Sequence, residues 1–256
     1  MKALIKIGGT LLDDPDSRAA IAKQIAEVAA SGVAVTVVHG GGKQMTRFLE
    51  ERGIQSRFVG GLRVTTDETI DAVLKVLAGT VNTQLVAALG VAGARAVGLT
   101  GIDANLATAE RLNPVLGYVG KVIACDSRLL DTLAEAGFIP VVACVAGGNQ
   151  GEVFNVNADS MAVAVASNWN VARLVFLTDV PGVLDAAKNI LEALSVGDCR
   201  DLIESGVATG GMQAKLNSAT TAVDSGVQEV CIVKGSDPEI VLRVFAGERA
   251  GTRIVK

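Results

Sequence analysis

The chain of 256 residues contains a single histidine, and its four cysteines (Cys125, Cys144, Cys199 and Cys231) are scattered without any C-x-x-C spacing. One histidine excludes a His-rich metal centre, and the cysteine pattern fits a reducing cytoplasm without structural zinc. Serine and cysteine nucleophile motifs are missing, which disfavours hydrolysis by a catalytic triad. Positive charge is not in excess either. The chain sets 23 Lys plus Arg against 27 Asp plus Glu, a net of -4, and no basic stripe could follow a nucleic-acid backbone. The N-terminus lacks the apolar stretch of a signal peptide, and no continuous apolar run approaches the roughly eighteen residues of a membrane helix. These absences predict a soluble cytoplasmic protein that engages neither nucleic acid nor membrane.

Half of the residues are hydrophobic, so core area is not limiting, and the length suits one large domain or two lobes. Two apolar runs near the start break into glycine turns: Leu4-Ile5-Lys6-Ile7-Gly8-Gly9 and Val35-Thr36-Val37-Val38-His39-Gly40-Gly41-Gly42. A strand that feeds a glycine turn and then a helix lets backbone N–H groups approach an anion closely. The helix N-terminus adds about half a positive charge, and Lys6 supplies a full one.

Hydrophobic spacing orders the elements. Ile21, Ile25, Val28 and Ala29 mark an amphipathic helix closed by Gly32, and residues 33–38 read as a buried strand. Met45, Phe48 and Leu49 share a face of a short helix ended by Gly53. Thr65 and Glu68 have capping-box spacing ahead of a long helix carrying Ile70, Val73, Leu74, Leu77, Val81 and Leu85, with a strand at 94–99 after it. Residues 101–124 break the rhythm, with Gly101, Pro114, Gly117 and Gly120 around short β-prone pieces, and predict hairpins or a flap over a ligand. A helix at 126–136, a strand at 138–145 and a glycine turn at 147–151 lead to Asn155–Asp159 and another helix. Strand 172–177, turn 178–182, helix 196–205, the Gly210-Gly211 turn, helix 212–225 and strand 229–233 follow. No proline-rich linker and no repeat is visible. The predicted fold class is α/β: a three-layer α/β/α sandwich with a mainly parallel central sheet. It is one domain over 1–256, with lobes 1–171 and 172–256 sharing the sheet.

Individual residues admit two readings. Lys6 either faces solvent or serves a ligand, and Gly8-Gly9 favours the ligand, because ligands sit at the C-terminal ends of strands in open α/β sheets. His39–Gly42 has neither the dinucleotide fingerprint nor the P-loop spacing, and is a flexible turn or an anion-binding one. His39, at a strand end, reads as structural. Asn and Asp within 155–159 make good helix N-caps, and Asp179 a turn cap. Phosphoryl transfer suits these residues, since it needs positioning, positive charge and a metal ion more than acid–base groups. A carboxylate acceptor, already ionised at neutral pH, needs no general base.

In combination the segments are specific. Lys6-Ile7-Gly8-Gly9, His39-Gly40-Gly41-Gly42, Gly61-Leu62-Arg63-Val64-Thr65, Asn155-Val156-Asn157-Ala158-Asp159, Thr178-Asp179-Val180-Pro181-Gly182-Val183-Leu184 and Gly211-Met212-Gln213-Ala214-Lys215 span nearly the whole chain. With them the chain resembles the amino-acid kinase superfamily, in particular its branch acting on N-acetyl-L-glutamate. The resemblance implies a carbamate kinase-like fold, ATP and Mg as cofactors, and phosphorylation of the γ-carboxylate of N-acetyl-L-glutamate in arginine biosynthesis. It implies that Lys6 and Lys215 stabilise charge on the phosphoryl group in transfer and that Asp159 holds both lysines. Gly41, Gly42, Arg63 and Asn155 match acceptor-binding positions, Arg63 suiting the carboxylate that does not react. Gly8, Gly9, Asp179, Val180, Pro181, Gly182, Val183, Leu184, Val207, Ala208 and Thr209 match nucleotide-binding positions. No side chain is expected to ligate the metal, which stays on the nucleotide phosphates.

The resemblance also implies a homodimer through the long helix after Thr65. The chain starts at its first strand, without the helical extension that accompanies arginine-inhibited hexamers in the family, so insensitivity to arginine is expected. Residues 101–105 depart from the family's glycine-richer loop. The alternatives are a sister kinase acting on an aminoadipate-type substrate and a non-catalytic amino-acid or nucleotide sensor on the same fold. Retention of both lysines and Asp159 argues against the sensor.

Overall fold

In the computed structural model, which describes residues 1–256, strands and helices alternate through most of the chain. The first part runs β1 (Lys2–Ile7), α1 (Gly9–Asp13), α2 (Pro15–Ala30), β2 (Ala34–His39), α3 (Gly42–Glu50) and the short hairpin β3 (Phe58–Val59) and β4 (Leu62–Arg63). A long helix follows as α4 (Asp67–Val73), a π-helical stretch (Leu74–Val81) and α5 (Asn82–Val91). Then come β5 (Ala96–Thr100), β6 (Ala107–Arg111), β7 (Val119–Cys125), α6 (Arg128–Glu135), β8 (Ile139–Ala143), β9 (Val145–Gly147), β10 (Val153–Val156) and α7 (Ala158–Asn168). The last part is β11 (Arg173–Thr178), β12 (Ala193–Ser195), α8 (Val196–Glu204), α9 (Gly210–Asp224), β13 (Glu229–Lys234), α10 (Ile240–Phe245) and β14 (Thr252–Val255).

Eight strands form one sheet in the order β12-β14-β13-β11-β1-β2-β8-β5, parallel throughout except where β13 meets β14. β1, β2 and β11 are apolar almost residue by residue and buried along nearly their whole length, as strands covered on both faces must be. The helices group as α10–α2–α5 and α8–α9–α7, the outer layers of the sandwich. β1 pairs with β2 on one side and with β11 on the other, so the sheet is continuous across residue 172.

Several elements differ from the sequence expectation. Residues 101–124 do form an antiparallel hairpin, β6 with β7, but it closes into a small barrel in the order β10-β7-β6-β9. The single strand expected at 138–145 breaks at Cys144, because the backbone beyond β8 turns to barrel partners. Val156 N–H donates to Cys144 O at 3.0 Å, and Gly101 N–H to Val145 O at 2.7 Å. The cap of the long helix is Thr66, whose hydroxyl accepts from Thr69 N–H at 3.3 Å, and not Thr65. α1, β10, α10 and β14 have too few residues to show a period and went unanticipated.

The long helix is apolar enough to cross a membrane by length and mean hydropathy, 1.5 over its best window. Here Val73, Leu77, Val81, Leu85 and Leu89 are buried in the core. Its π-helical middle, where Thr80 Oγ1 reaches Lys75 O five residues back, lays Leu77 and Val81 against the second glycine turn.

Candidate active site

The candidate site lies at the C-terminal ends of β1 and β2. Lys6, the penultimate residue of β1, is 8% exposed, a costly place for an ammonium group without a counter-charge. Asp159 supplies that charge from the first turn of α7: Lys6 Nζ lies 2.6 Å from Oδ1, and Lys215 Nζ, from α9, lies 3.8 Å from Oδ2. Burial alone would raise the Asp159 carboxyl, but the two ammonium groups outweigh it and hold the pKa below the ordinary carboxylate value. Asn157 caps α7 by accepting from the N–H groups of Asp159 and Ser160, both at 3.0 Å, which orients the turn bearing Asp159. The cap and the ion-pair roles within 155–159 therefore fall on different residues.

The two glycine turns touch. A Cβ on Gly9 would stand 2.9 Å from the Cα and N of Gly41, and one on Gly41 would stand 2.4 Å from Leu77 Cδ2. At Gly9 the obstruction is backbone, so only glycine permits the approach of the two turns there; at Gly41 a side chain would have to displace the tip of Leu77. Gly8 N–H donates to Leu177 O at 3.1 Å, tying the first turn to the end of β11.

Gly42 O accepts from Arg63 Nη2 at 3.1 Å, and Thr46 Oγ1 accepts from the same nitrogen at 2.7 Å. Arg63 Nη1 donates to Ser56, and the guanidinium lies over the Phe58 ring at 4.7 Å. Three of its five N–H groups are thus engaged, leaving Nε–H and one on Nη1 for a ligand. Burial lowers the guanidinium pKa, with Glu50 opposing. A cavity of about 480 Å³ opens here, lined by Gly9, Gly42, Lys43, Arg47, Glu50, Phe58 and Arg63 among others. Asn155, on β10, reaches Thr65 Oγ1 through its Nδ2 at 3.1 Å.

His39 is structural. It is fully buried, and burial drives its pKa down to about 4, so the ring is neutral. Nδ1 lies 2.9 Å from Gly40 O, an acceptor only, so Nδ1 carries the proton and Nε2 accepts from Asn82 Nδ2 at 3.0 Å. Asn82 also donates to Val141 O at 2.9 Å, pinning the turn to the long helix and to β8.

Besides Gly8 and Gly9, the expected nucleotide positions lie in two segments. Asp179–Leu184 follows β11, where Thr178 Oγ1 accepts from Val180 N–H at 3.2 Å and Thr252 Oγ1 accepts from Val183 N–H at 2.7 Å. Gly182 has φ +155°, and a Cβ there would stand 2.7 Å from Thr252 Oγ1. Val207, Ala208 and Thr209 lead into α9 and so towards Lys215, and no hydrogen bond joins them to the 179–184 turn. The structure brings together Lys6, Asp159 and Lys215, and Gly9, Gly41, Gly42 and Arg63. Asn155 is reached through Thr65. Sequence reasoning missed Thr46, Ser56 and Asn82, which have no local pattern. It gave Thr65 the wrong task.

Comparison with known proteins gives the family and the fold. The profile of the amino acid kinase family matches residues 1–234. An acetylglutamate kinase from Solibacter usitatus is 56% identical over 255 residues, covering 100% of this chain and 99% of that protein. Among solved structures, N-acetylglutamate synthase from Neisseria gonorrhoeae complexed with coenzyme A and N-acetyl-glutamate superposes with a TM-score of 0.89 at 25% identity. That match covers 100% of this chain and 59% of that one. The structure of smu.665 from Streptococcus mutans UA159 superposes with a TM-score of 0.84 at 28% identity, covering 99% and 98%.

Proposed function

We propose that this chain, which belongs to the amino acid kinase family, transfers the γ-phosphoryl group of ATP to the γ-carboxylate of N-acetyl-L-glutamate. The products are ADP and N-acetyl-L-glutamyl 5-phosphate, in the second step of arginine biosynthesis. The observation that carries this reading is the meeting of Lys6 and Lys215 on one carboxylate beside two touching glycine turns. The acceptor follows from the 56% identity to an acetylglutamate kinase.

A carboxylate attacking a phosphoryl group brings two negative charges together. Lys6 and Lys215 answer that repulsion, aided by N–H groups of the glycine turns. Each ammonium has three N–H groups and Asp159 as its only protein partner, so donors remain for phosphoryl oxygens. Asp159 stays ionised and holds the amines, and takes no proton. Arg63 and Asn155 hold the acceptor's other carboxylate, with Gly41 and Gly42 against its body. Gly8 and Gly9 face the phosphates, and Asp179–Leu184 and Val207–Thr209 the rest of the nucleotide.

No group of three or more His, Cys, Asp or Glu stands together to cage a metal. Mg²⁺ would be carried on the nucleotide phosphates, where it would neutralise oxygen charge. Residues 1–171 form the acceptor and dimerisation lobe, 172–256 the nucleotide lobe, and two copies pair through the helix Asp67–Val91 in the cytoplasm.

The test is ADP release with N-acetyl-L-glutamate, glutamate, aspartate and N-acetyl-aminoadipate as acceptors. Turnover should be highest on acetylglutamate. Activity confined to aspartate, or fastest on the aminoadipate derivative, would overturn the acceptor, and ATP binding without turnover of any acid would favour a sensor.

A further inference from the structure

Thr65 is fully buried, and its hydroxyl meets the backbone of one residue assigned to the acceptor and the side chain of the other. Its Oγ1 lies 2.9 Å from Arg63 O and 3.1 Å from Asn155 Nδ2. A carbonyl only accepts, so the single hydroxyl proton goes to Arg63 O. Oγ1 must then accept, and the group facing it must be the NH₂ of the Asn155 carboxamide. The Arg63 carbonyl thereby decides, through Thr65, which way the Asn155 amide points. One Nδ2–H is held by Thr65, and the other is free to meet an anionic ligand.

The backbone repeats the connection. Thr65 N–H donates to Leu116 O at 2.9 Å, Tyr118 N–H donates to Thr65 O at 2.7 Å, and Asn155 N–H donates to Tyr118 O at 2.9 Å. Gly117, at φ +68°, makes room, since a Cβ there would stand 2.2 Å from Thr65 O. The strand bearing Arg63 and the barrel strand bearing Asn155 are locked into one unit at this residue.

We infer that Thr65 is a positioning residue of the acceptor site, orienting the Asn155 carboxamide relative to Arg63. This rests on the proposed acceptor role of those two residues. The variants are Thr65→Val, which keeps volume and removes the hydroxyl, and Thr65→Ser, which keeps the hydroxyl. Thr65→Ala, which removes the hydroxyl without adding a methyl, replaces Thr65→Val should the latter not fold. Thr65→Val should raise the acceptor KM about tenfold, the scale of one lost hydrogen bond, while the ATP KM stays within about twofold. Thr65→Ser should restore the acceptor KM to within about threefold. Added to Asn155→Ala, the Thr65→Val change should cost almost nothing more, because its effect passes through that side chain.

An unchanged acceptor KM in Thr65→Val, equal rises in both KM values, or failure of Thr65→Ser to restore binding would each overturn the inference. Wild-type protein inactive on acetylglutamate but active on another acid would overturn the named acceptor alone, and the same comparison then runs on that acid. Wild-type protein active on none overturns both.

Discussion

Two clusters in this molecule set one carboxylate between two cations, and they lie at opposite ends of the same sheet. Asp159 has Lys6 at 2.6 Å and Lys215 at 3.8 Å near the C-terminal end of β1. Glu229 has Arg173 at 2.7 Å and Arg253 at 3.7 Å, with Arg173 and Glu229 in register as the first residues of β11 and β13. The carboxylates are about equally buried, with side-chain exposures of 14% and 17%. What separates the clusters is where their donors go. Arg173 also donates to Val244 O at 2.7 Å and lies over the Phe245 ring, and Glu229 accepts from the Cys231 thiol at 3.2 Å. The two lysines have no protein partner but Asp159. Charge composition does not make a site. The candidate site is set apart by donors left without a protein partner at the C-terminal end of a parallel strand.

The sharpest way to break the comparison is to delete its cations. Lys6→Ala or Lys215→Ala should lower kcat by about 10² or more, the scale of a lost electrostatic contact in a transition state. Near-wild-type turnover at saturating substrates would remove that lysine from the chemistry.

Acid titration comes next and divides the stability by pH. His39 is folded with a pKa of about 4 against an ordinary value of 6.5. The unfolded chain therefore binds a proton that the folded one refuses, and stability falls as pH drops from about 6.5 to about 4, by about 3 kcal/mol. His39→Gln should abolish that limb in denaturant titrations. A limb that persists unaltered would show that His39 is not the group responsible. The Asp159 pKa is lowered on folding, so its contribution is intact above the unfolded carboxyl value of about 4. It is lost only as pH falls through the lower folded value, beyond the histidine limb.

The smallest effect on turnover belongs to the other cluster. Glu229→Gln should cost about 2 kcal/mol of stability by stranding the buried Arg173 guanidinium, yet leave kcat within about twofold. A large fall in kcat with stability unchanged would erase the distinction between the clusters.

Much of this was legible in residue order. β1, β2 and β11 are runs of consecutive apolar residues, and the breaks at Gly8-Gly9 and Gly40–Gly42 are local, so strand, turn and the oddity of a lysine inside an apolar run can be read directly, while its burial comes from the structure. Lys215 was not legible by physics, since a helix lysine looks solvated until α9 is packed beside α7. Only the resemblance to a family picked it out. Thr65 shows the limit most clearly. Its spacing to Glu68 suggested a cap, but its hydroxyl is committed to Asn155, ninety residues on, and the cap passed to Thr66. The barrel was missed as a closed unit because β9 and β10 are only three and four residues long. Such strands have no period of their own and exist through their partners.

The placement of β1 between β2 and β11 also bears on how the protein is made. The strand carrying Lys6 leaves the ribosome early and finds β2 soon after. Its other edge stays unpaired until Arg173–Thr178 have been synthesised. That exposed apolar edge is open to wrong pairing for most of translation, and closing it spans a long stretch of chain, which slows folding. The central strand of the finished enzyme is therefore among the last to be sealed, and cutting the gene near codon 172 would yield two fragments that each lack half of one sheet.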